Sequence, residues 1–215
     1  MRELENIKGR ESLFWNVPRT TGEFLNMLAR VSGAKKALEI GTSNGYSGIY
    51  IAEGLSHNGG LLYTVESNGE RFRLAAENFA AAGVADFVRQ VKGHAPEILP
   101  EVAKVSGVGA GVNVGASGFG AGLAAGSVGG AGVAEVTIPA AGFDLIFIDA
   151  TKMEYKSYVA VLLPMLRTGG MIIADNCLSH ADEVREYVSY LNSCADMQNV
   201  LLPVDNGLLL SLKAG

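Results

Sequence analysis

A short apolar strand that runs into a glycine loop is the feature that most constrains this chain. The residues from Ala37 to Ser47 read ALEIGTSNGYS, with glycines at positions 41 and 45, and an apolar helical pattern begins near Tyr46. Strand, glycine turn and helix in this order bring backbone N–H groups up to a ligand in α/β proteins. Glycine is needed where the chain turns tightly or where a ligand approaches the main chain. The sequence therefore predicts an α/β protein with a ligand site at this loop.

The spacing of the glycines argues against the common nucleotide-binding loops. A dinucleotide fold has G-x-G-x-x-G and a phosphate loop has G-x-x-x-x-G-K-[ST], whereas this loop reads E-x-G-x-x-x-G without a lysine. Glu39 at the strand end would repel a pyrophosphate and suits a cationic ligand, such as an amino group or a sulfonium. The next predicted strand, 61–65, ends in Glu66, which is placed to bind ribose hydroxyls. Ribose without phosphate, together with an acid near the glycines, suggests S-adenosylmethionine.

Helix and strand patterns alternate along most of the chain. Apolar periodicity predicts further strands over residues 86–91, 143–148 and 171–174, and helices over residues 22–31, 69–82, 96–102, 154–166 and 181–193. Thr168-Gly169-Gly170 is predicted to end the fourth of these helices. Two final apolar runs, 200–204 and 208–212, flank an Asn-Gly turn, which is a strong hairpin signal. This order predicts a doubly wound sheet with an antiparallel edge.

Composition and charge limit the classes of function. The chain has 215 residues, of which 48% are hydrophobic and 18% are charged, and its net charge is −5. The acidic balance argues against a large nucleic-acid surface, which normally needs a basic face. The first residues are charged and have no apolar core of the signal-peptide type, and no uninterrupted apolar run is long enough to span a bilayer. We therefore expect a cytoplasmic protein.

Three ordered motifs resemble one enzyme family. The runs LEIGTSNGYS at 38–47, FIDATKMEY at 147–155 and IIADN at 172–176 are similar to the metal-dependent class I S-adenosylmethionine O-methyltransferases. This family includes catechol and caffeoyl-CoA O-methyltransferases and their small bacterial relatives. The resemblance implies one domain over 1–215 with a Rossmann-like, seven-stranded methyltransferase sheet and an antiparallel C-terminal hairpin.

One stretch interrupts the resemblance. Residues 105–133 are almost entirely Gly, Ala, Val and Ser and carry no charge, which is typical of low-complexity sequence. Relatives in the family usually have only a few residues here. The resemblance therefore implies a Gly/Ala-rich insertion at about 105–138, which we expect to be dispensable for folding; a lid or an oligomer contact is the alternative.

Oxygen-bearing side chains follow two of the predicted strands. Asp149 comes after one strand, and Asp175 and Asn176 come after the next. Hard oxygen ligands without His or Cys suit Mg²⁺, or alternatively Mn²⁺ or Ca²⁺. In the family pattern D-x-x-K-x-x-Y, the resemblance makes Lys152 the general base, with Asp149 as its catalytic partner and Tyr155 at the end of the motif.

The resemblance also implies a complete cofactor site. It places Glu39 and Ser47 near the methionine moiety, Glu66 on the ribose, and Ala95 with His94 near the adenine. The other residues that it assigns to the cofactor site are Gly41, Thr42, Gly45, Tyr46 and Asp149.

The resulting hypothesis is a divalent-metal-assisted O-methyltransferase that acts on a small, catechol-like hydroxyl acceptor. Catechol methyltransferases have a glutamate near the last hairpin, and residues 202–207 of this chain contain none. Methylation of a tRNA hydroxyuridine by the same fold therefore remains an alternative. The missing G-x-G-x-x-G argues against a nicotinamide-dependent oxidoreductase, and the full catalytic set argues against a non-catalytic binding module. A homodimer is expected from the resemblance alone.

Overall fold

The structure is a computed structural model that describes residues 16–104, 111–113 and 137–215. Within these residues, six α-helices are α1 (Arg19–Val31), α2 (Tyr46–Ser56), α3 (Gly69–Ala81), α4 (Ala95–Lys104), α5 (Tyr155–Met165) and α6 (Arg185–Ser193). The strands are β1 (Lys36–Ile40), β2 (Leu61–Glu66), β3 (Val88–Lys92), β4 (Gly111–Asn113), β5 (Thr137–Pro139), β6 (Phe143–Ile148), β7 (Leu166–Ala174), β8 (Met197–Leu202) and β9 (Leu208–Lys213). No helix in this described part is long and apolar enough to cross a membrane.

Seven of the strands form one sheet in the order β3-β2-β1-β6-β7-β9-β8. The five strands from β3 to β7 in this order are parallel, and β9 and β8 add an antiparallel hairpin at the edge. The chain builds outward from β1 through β2 to β3, then returns to place β6 on the other side of β1. Ligands of open α/β sheets bind at such a switch point, outside the carboxyl ends of the strands. The predicted sheet and its antiparallel hairpin are confirmed.

The central strands are buried because helices cover both faces of the sheet. One core layer packs α4, α5 and α6 against the face that carries Leu38 and Ile40 of β1. The other core layer packs α1, α2 and α3 against the opposite face, which carries Ala37 of β1. Side chains alternate between the two faces of a strand. Glu39 is therefore directed toward the layer of α1, α2 and α3.

Several element boundaries differ from the predicted ones. A short 3₁₀ turn, Ala85–Phe87, delays the start of β3 to Val88. The α5 helix ends at Met165, and the chain enters β7 at once, so Thr168-Gly169-Gly170 lies within β7 instead of ending a helix. The register between β6 and β7 shifts there, and Gly169 has φ +73°, which fits an irregular strand segment. Turns occupy the start of the predicted 181–193 helix, which begins at Arg185.

The turn of the terminal hairpin is tied to the start of the first helix. Asp205 has φ +48° in this turn. Its Oδ2 atom accepts hydrogen bonds from the Thr21 amide at 3.1 Å and the Thr21 hydroxyl at 2.7 Å. This contact satisfies one of the free N–H groups in the first turn of α1. The hairpin and α1 are thereby joined beside the carboxyl edge of the sheet.

The predicted insertion at 105–138 lies largely outside the described residues. Within it, β4 and β5 form a two-stranded antiparallel pair in which Asn113 is the direct partner of Thr137. Directly paired residues of antiparallel strands have Cα atoms about 4.5–5.5 Å apart, a distance that a two-residue turn closes. Asn113 and Thr137, which flank residues 114–136 in the sequence, are therefore close enough to be joined by a two-residue turn.

Replacing residues 114–136 with Asn-Gly is expected to leave the fold intact. The new turn would connect two strands that are already paired, and it would leave the seven-stranded sheet unchanged. We expect the same circular dichroism spectrum and a melting temperature within about 3 °C of the parent chain. Loss of ellipticity at 222 nm at room temperature would show instead that the segment is needed for folding.

Candidate active site

Four acidic residues lie at the carboxyl edge of the central strands. Glu39 and Glu66 lie at the ends of β1 and β2, and Asp149 and Asp175 directly follow β6 and β7. These strands are neighbours in the parallel part of the sheet, so their ends meet. The negative charges of Asp149 and Glu66 contribute to raising the pKa of Glu39, after the larger effect of its burial. This edge therefore has the electrostatic character of a site for cationic ligands.

The glycine loop is packed directly against the chain that follows β6. Gly41 has φ +101°, and a Cβ atom at this position would lie 2.8 Å from the Asp149 carbonyl carbon and closer still to its oxygen. Gly45 has φ +86° and precedes α2 in a left-handed conformation. A side chain at either position would strain the backbone or collide with neighbouring atoms. These two positions thus require glycine because neighbouring parts of the protein approach the loop closely.

Glu66 holds the glycine loop through backbone hydrogen bonds. Its Oε2 accepts from the Ser43 amide at 2.8 Å, and its Oε1 accepts from the Asn68 amide at 2.7 Å. The Gly41 and Thr42 amides both donate to the Val65 carbonyl. Each carboxylate oxygen has a second lone pair. Glu66 therefore fixes the loop and still has acceptor capacity for a ribose hydroxyl.

Glu39 is fully buried, and each of its carboxylate oxygens accepts a hydrogen bond from a neighbouring hydroxyl. The Ser47 hydroxyl donates to its Oε1 and the Thr64 hydroxyl to its Oε2, each at 2.6 Å. Burial raises the pKa of Glu39 to about 7, although both hydrogen bonds act in the opposite direction. In this structure Glu39 and Ser47 face each other beneath the loop. Sequence reasoning missed Thr64, whose signal was a polar residue in an otherwise apolar strand.

Three other predicted cofactor residues are buried within the loop and the neighbouring elements. The Thr42 hydroxyl lies 2.5 Å from the Thr64 hydroxyl. The Tyr46 amide donates to Asn44 Oδ1 at 3.2 Å, which fixes the loop at the start of α2. Ala95 is the buried first residue of α4. Thr42 and Tyr46 thus take part in contacts that hold the loop, and the assignment of all three residues to the cofactor stays a prediction.

His94 lies between the start of α4 and the 3₁₀ turn that carries Lys152. Its side chain is 42% exposed, and its ring nitrogens lie 3.3 Å from Glu97 Oε1 and 3.3 Å from Glu154 Oε2. Glu154 also accepts a hydrogen bond from the Tyr158 hydroxyl. The ring therefore links the start of α4 to the 3₁₀ turn Lys152–Glu154. None of these contacts was evident from the sequence.

The predicted base and a predicted metal ligand are in contact. Lys152 Nζ donates to Asp149 Oδ1 at 2.8 Å and to the Ala150 carbonyl at 3.1 Å. Both side chains are 17% exposed, so the pair is largely shielded from bulk water. The Lys152 ammonium or amine nitrogen and the Asp149 carboxylate thus form a hydrogen-bonded pair at the carboxyl end of β6.

Asp175 is the most unusual carboxylate of the site. It is 1% exposed, and its Oδ1 atom has no hydrogen-bond partner among the described residues. Burial, followed by the charge of Asp149, raises the pKa of Asp175 to about 6. A buried and unpaired carboxylate oxygen is energetically unfavourable unless a cation or proton satisfies it. This geometry fits a ligand that the carboxylate would coordinate.

Asn176 has a fixed amide next to Asp175. Its backbone has φ +64°, and its Nδ2 atom donates to Ser179 Oγ at 3.2 Å. Ser179 Oγ in turn lies 2.9 Å from His180 Nδ1. The contact of Nδ2 with Ser179 leaves the amide oxygen of Asn176 available as a ligand.

Two further observations limit which ligand groups and which cavity could belong to the site. The described residues contain no cluster of three or more His, Cys, Asp or Glu side chains that could hold a metal ion. A cation at this edge would therefore rest on two carboxylates, one amide and oxygens from outside the protein. A separate cavity of about 570 Å³ contains none of the predicted site residues; it is lined by Asn26, Met27, Arg30, Val31, His57 and Asn58.

The strand order and the acidic carboxyl edge define the class of this protein. A glycine loop after the first strand, an acid after the second, and an antiparallel final hairpin are combined on a Rossmann-like sheet. This is the fold of class I methyltransferases. Comparison with known proteins then identifies the family.

The chain belongs to the O-methyltransferase family, whose sequence profile matches residues 1–110 and 133–214. Caffeoyl-CoA O-methyltransferase 1 of Eucalyptus globulus is 29% identical over 231 residues, covering 98% of this chain and 80% of the relative. The O-methyltransferase TomG from Streptomyces achromogenes, in complex with SAM, superposes with a TM-score of 0.72 at 26% identity, covering 100% of this chain and 86% of TomG. An O-methyltransferase from Bacillus cereus in complex with SAH has the same fold, with a TM-score of 0.72 at 24% identity over 98% of this chain and 86% of that chain.

Proposed function

We propose that this protein transfers the methyl group of S-adenosylmethionine to a hydroxyl oxygen of a small, catechol-like acceptor, with a divalent cation at the carboxyl edge of β6 and β7. The observation that carries the proposal is the buried, unpaired Oδ1 of Asp175 beside the Asp149–Lys152 pair. Family membership and the SAM and SAH complexes of TomG and the Bacillus cereus enzyme support the choice of donor. The Eucalyptus relative supports the choice of a phenolic acceptor.

The donor site is proposed to lie at the glycine loop. Glu66 would accept hydrogen bonds from the ribose hydroxyls, and His94 and Ala95 would lie near the adenine. The amides of the loop are oriented by Glu66 and by the Val65 carbonyl. The acids at this edge favour a positively charged sulfonium over a neutral thioether. Because Glu39 is fully buried, we assign it the support of the loop through Ser47 and Thr64.

The residues that would hold the cation are Asp149, Asp175 and Asn176. Their oxygens match the preference of Mg²⁺, and the small number of protein ligands leaves positions for water and acceptor oxygens. When bound, a divalent cation lowers the pKa of a hydroxyl that it contacts. The unpaired Asp175 Oδ1 gives this assignment its physical reason, since it lacks any donor among the described residues.

The chain's own residues position the reaction and accept its proton. The acceptor hydroxyl loses its proton to the Lys152 amine as its oxygen attacks the methyl carbon in line. A bond forms between the oxygen and this carbon, and the bond between the carbon and the sulfonium sulfur breaks. The products are a methyl ether, S-adenosylhomocysteine and a protonated lysine, which returns its proton to solvent. Positioning and electrostatics supply most of the rate.

Transfer of a labelled methyl group tests the proposal. The acceptors are a caffeate-like catechol, unmodified tRNA and hydroxylated tRNA, each with Mg²⁺ and with EDTA. We expect label in the catechol that EDTA abolishes. Lys152→Met should lose this label, whereas Lys156→Met should keep it because Lys156 is an exposed partner of Glu186. Label in tRNA alone would move the acceptor to RNA, and label that is insensitive to EDTA would reject the metal.

Glu66→Ala is expected to weaken the binding of S-adenosylhomocysteine about 10- to 100-fold, or about 1.5–3 kcal/mol. The variant loses the acceptors proposed for the ribose and the anchors of the Ser43 and Asn68 amides. Isothermal titration calorimetry measures the effect directly. Glu70→Ala is the matched control, because Glu70 is exposed in the first turn of α3. Unchanged affinity in Glu66→Ala would reject the assignment of Glu66 to the cofactor.

The domain organisation over 1–215, the homodimer and the cytoplasmic location stay predictions.

A further inference from the structure

The Tyr155 hydroxyl bridges the carboxyl ends of β6 and β7, the strands that Asp149 and Asp175 directly follow. Tyr155 is the fully buried first residue of α5. Its hydroxyl lies 3.3 Å from the Ile148 carbonyl oxygen and 3.3 Å from the Asp175 carbonyl oxygen. Ile148 directly precedes Asp149, so one hydroxyl contacts the backbone at both predicted carboxylate ligands.

This bridge lies where the hydrogen-bond ladder between β6 and β7 ends. The Asp175 amide donates to the Ile148 carbonyl at 3.0 Å, and the Tyr155 hydroxyl reaches the same oxygen. Beyond this point the two strands turn away into separate loops. Because a carbonyl oxygen has two lone pairs, the Ile148 carbonyl can accept from both the Asp175 amide and the Tyr155 hydroxyl. The tyrosine therefore restrains the two strand tips where regular sheet bonding no longer does.

The same side chain also contacts the predicted base. Lys152 Nζ lies 5.7 Å from the centroid of the Tyr155 ring. The 3₁₀ turn Lys152–Glu154 runs directly into α5, so the position of Tyr155 is coupled to that of the turn. The lysine nitrogen lies over the face of the tyrosine ring. Asp149, Asp175 and Lys152 are thus all connected to one buried residue.

We propose that Tyr155 is a positioning residue that sets the separation of Asp149 and Asp175 and thereby the affinity of the site for a divalent cation. This inference rests on the proposed function, because it assumes that the two carboxylates bind the cation. Tyr155 acts through the backbone of its partners and does not itself reach substrate. Outer residues that orient metal ligands typically change metal affinity about 10- to 100-fold when they are altered.

A neighbouring tyrosine provides a matched control. Tyr187 is equally buried, and its ring packs edge-on against Tyr155 with centroids 5.5 Å apart. In the part of the chain that the structure describes, the Tyr187 hydroxyl has no hydrogen-bond partner. Tyr187→Phe and Tyr155→Phe therefore remove the same atom from the same cluster. Only the second substitution removes the bridge between the strand tips.

The test measures the affinity of the full chain for Mn²⁺, with the concentration of free Mn²⁺ determined by electron paramagnetic resonance. The kcat of methyl transfer and the KM for S-adenosylmethionine are measured alongside. We expect Tyr155→Phe to bind Mn²⁺ about tenfold more weakly and to lower kcat at saturating metal, with an unchanged KM for S-adenosylmethionine. We expect Tyr187→Phe to match the parent chain in all three. Circular dichroism establishes that both variants are folded.

Three outcomes would overturn the inference. If Tyr155→Phe has a lower melting temperature but binds Mn²⁺ as the parent chain does, Tyr155 has only a structural role and the proposed function stands. If Tyr187→Phe loses as much affinity as Tyr155→Phe, the effect belongs to the packing of the cluster and not to the bridge. If the parent chain itself binds no Mn²⁺ and needs no metal for methyl transfer, the metal part of the proposed function fails as well.

Discussion

Asp175→Asn is expected to lower methyl transfer about 10³-fold while making the metal-free protein more stable at neutral pH. The substitution keeps the shape of the side chain and removes its charge. Activity falls because a proposed ligand of the cation is lost. Stability rises because Asp175 Oδ1 is buried without a partner among the described residues, so its charge opposes folding. The Asp175 carboxylate is therefore expected to support methyl transfer while lowering the folding stability of the metal-free protein.

The dependence on pH follows from the pKa of Asp175. Burial raises that pKa from 3.8 to about 6, so the folded state holds this proton more tightly than the unfolded state. The contribution of Asp175 to the stability of the metal-free protein therefore becomes less favourable as the pH rises from about 4 to 6, and its full penalty applies above pH 6. At pH 7.5 we expect Asp175→Asn to gain about 1–3 kcal/mol. Near pH 4 the gain should disappear, because Asp175 is then protonated and uncharged.

Asp144→Asn is the matched control for this prediction. Asp144 lies in β6 near the opposite end of the sheet, where it accepts hydrogen bonds from the Lys35 and Lys36 amides and from Arg167. Burial acts to raise its pKa, but these hydrogen bonds more than offset that effect and lower it. Asp144→Asn should therefore lose stability at pH 7.5 and keep Mn²⁺ binding. Thermal melts at pH 4 and 7.5 distinguish the two variants, and a lower melting temperature for Asp175→Asn at pH 7.5 would contradict the prediction.

Gly41→Ala is expected to cost at least about 3 kcal/mol of folding stability and to abolish binding of S-adenosylhomocysteine. Its Cβ would lie 2.8 Å from the Asp149 carbonyl carbon, on a backbone with φ +101°. Backbone atoms on both sides cannot move aside as a flexible side chain does. The glycine loop and the chain after β6 would have to separate, which would disturb both the donor site and the position of Asp149.

Gly33 serves as a control because it has a positive φ without a close neighbour in the described part of the chain, so its substitution measures the cost of the backbone conformation alone. Gly33 has φ +66°, and no atom of the described residues lies within 4 Å of the Cβ that alanine would add. Gly33→Ala should therefore cost only about 1–2 kcal/mol and leave cofactor binding unchanged. Urea denaturation and calorimetry measure both effects. Equal losses of stability in the two variants would mean that the approach to Asp149 is not what requires Gly41.

The sequence predicted the elements of the site better than the contacts within it. Apolar runs and the residues that end them are local properties, so the strands that end in Glu66 or precede Asp149 and Asp175 could be predicted. The direction of a side chain depends on its place in the alternation of a strand. Glu39 lies one residue before the end of β1, where it is enclosed beneath the loop by Ser47 and Thr64.

Contacts between distant parts of the chain could not be predicted from local patterns. The link between His94 and Glu154 depends on how α4 packs beside α5, and no spacing in the sequence reports that distance. The start of β7 was misplaced for a related reason. Glycines at 169 and 170 often end a helix, but here the pairing of Leu166 and Met171 with β6 on either side of them holds them in an irregular strand segment.

The parallel pairing of β1 with β6 has a consequence for the whole reaction. The residues proposed to bind the methyl donor lie in the segment from Glu39 to Ala95. The residues proposed to bind the metal and to act as the base lie in the segment from Asp149 to Asn176. These two segments are joined by the pairing of β1 with β6, and also by the packing of Gly41 against Asp149 and the contact of His94 with Glu154. A change that loosens this pairing would lower stability and catalysis together, even if it touches neither ligand. The pairing of β1 with β6 is therefore expected to support both the stability of the fold and the proposed reaction.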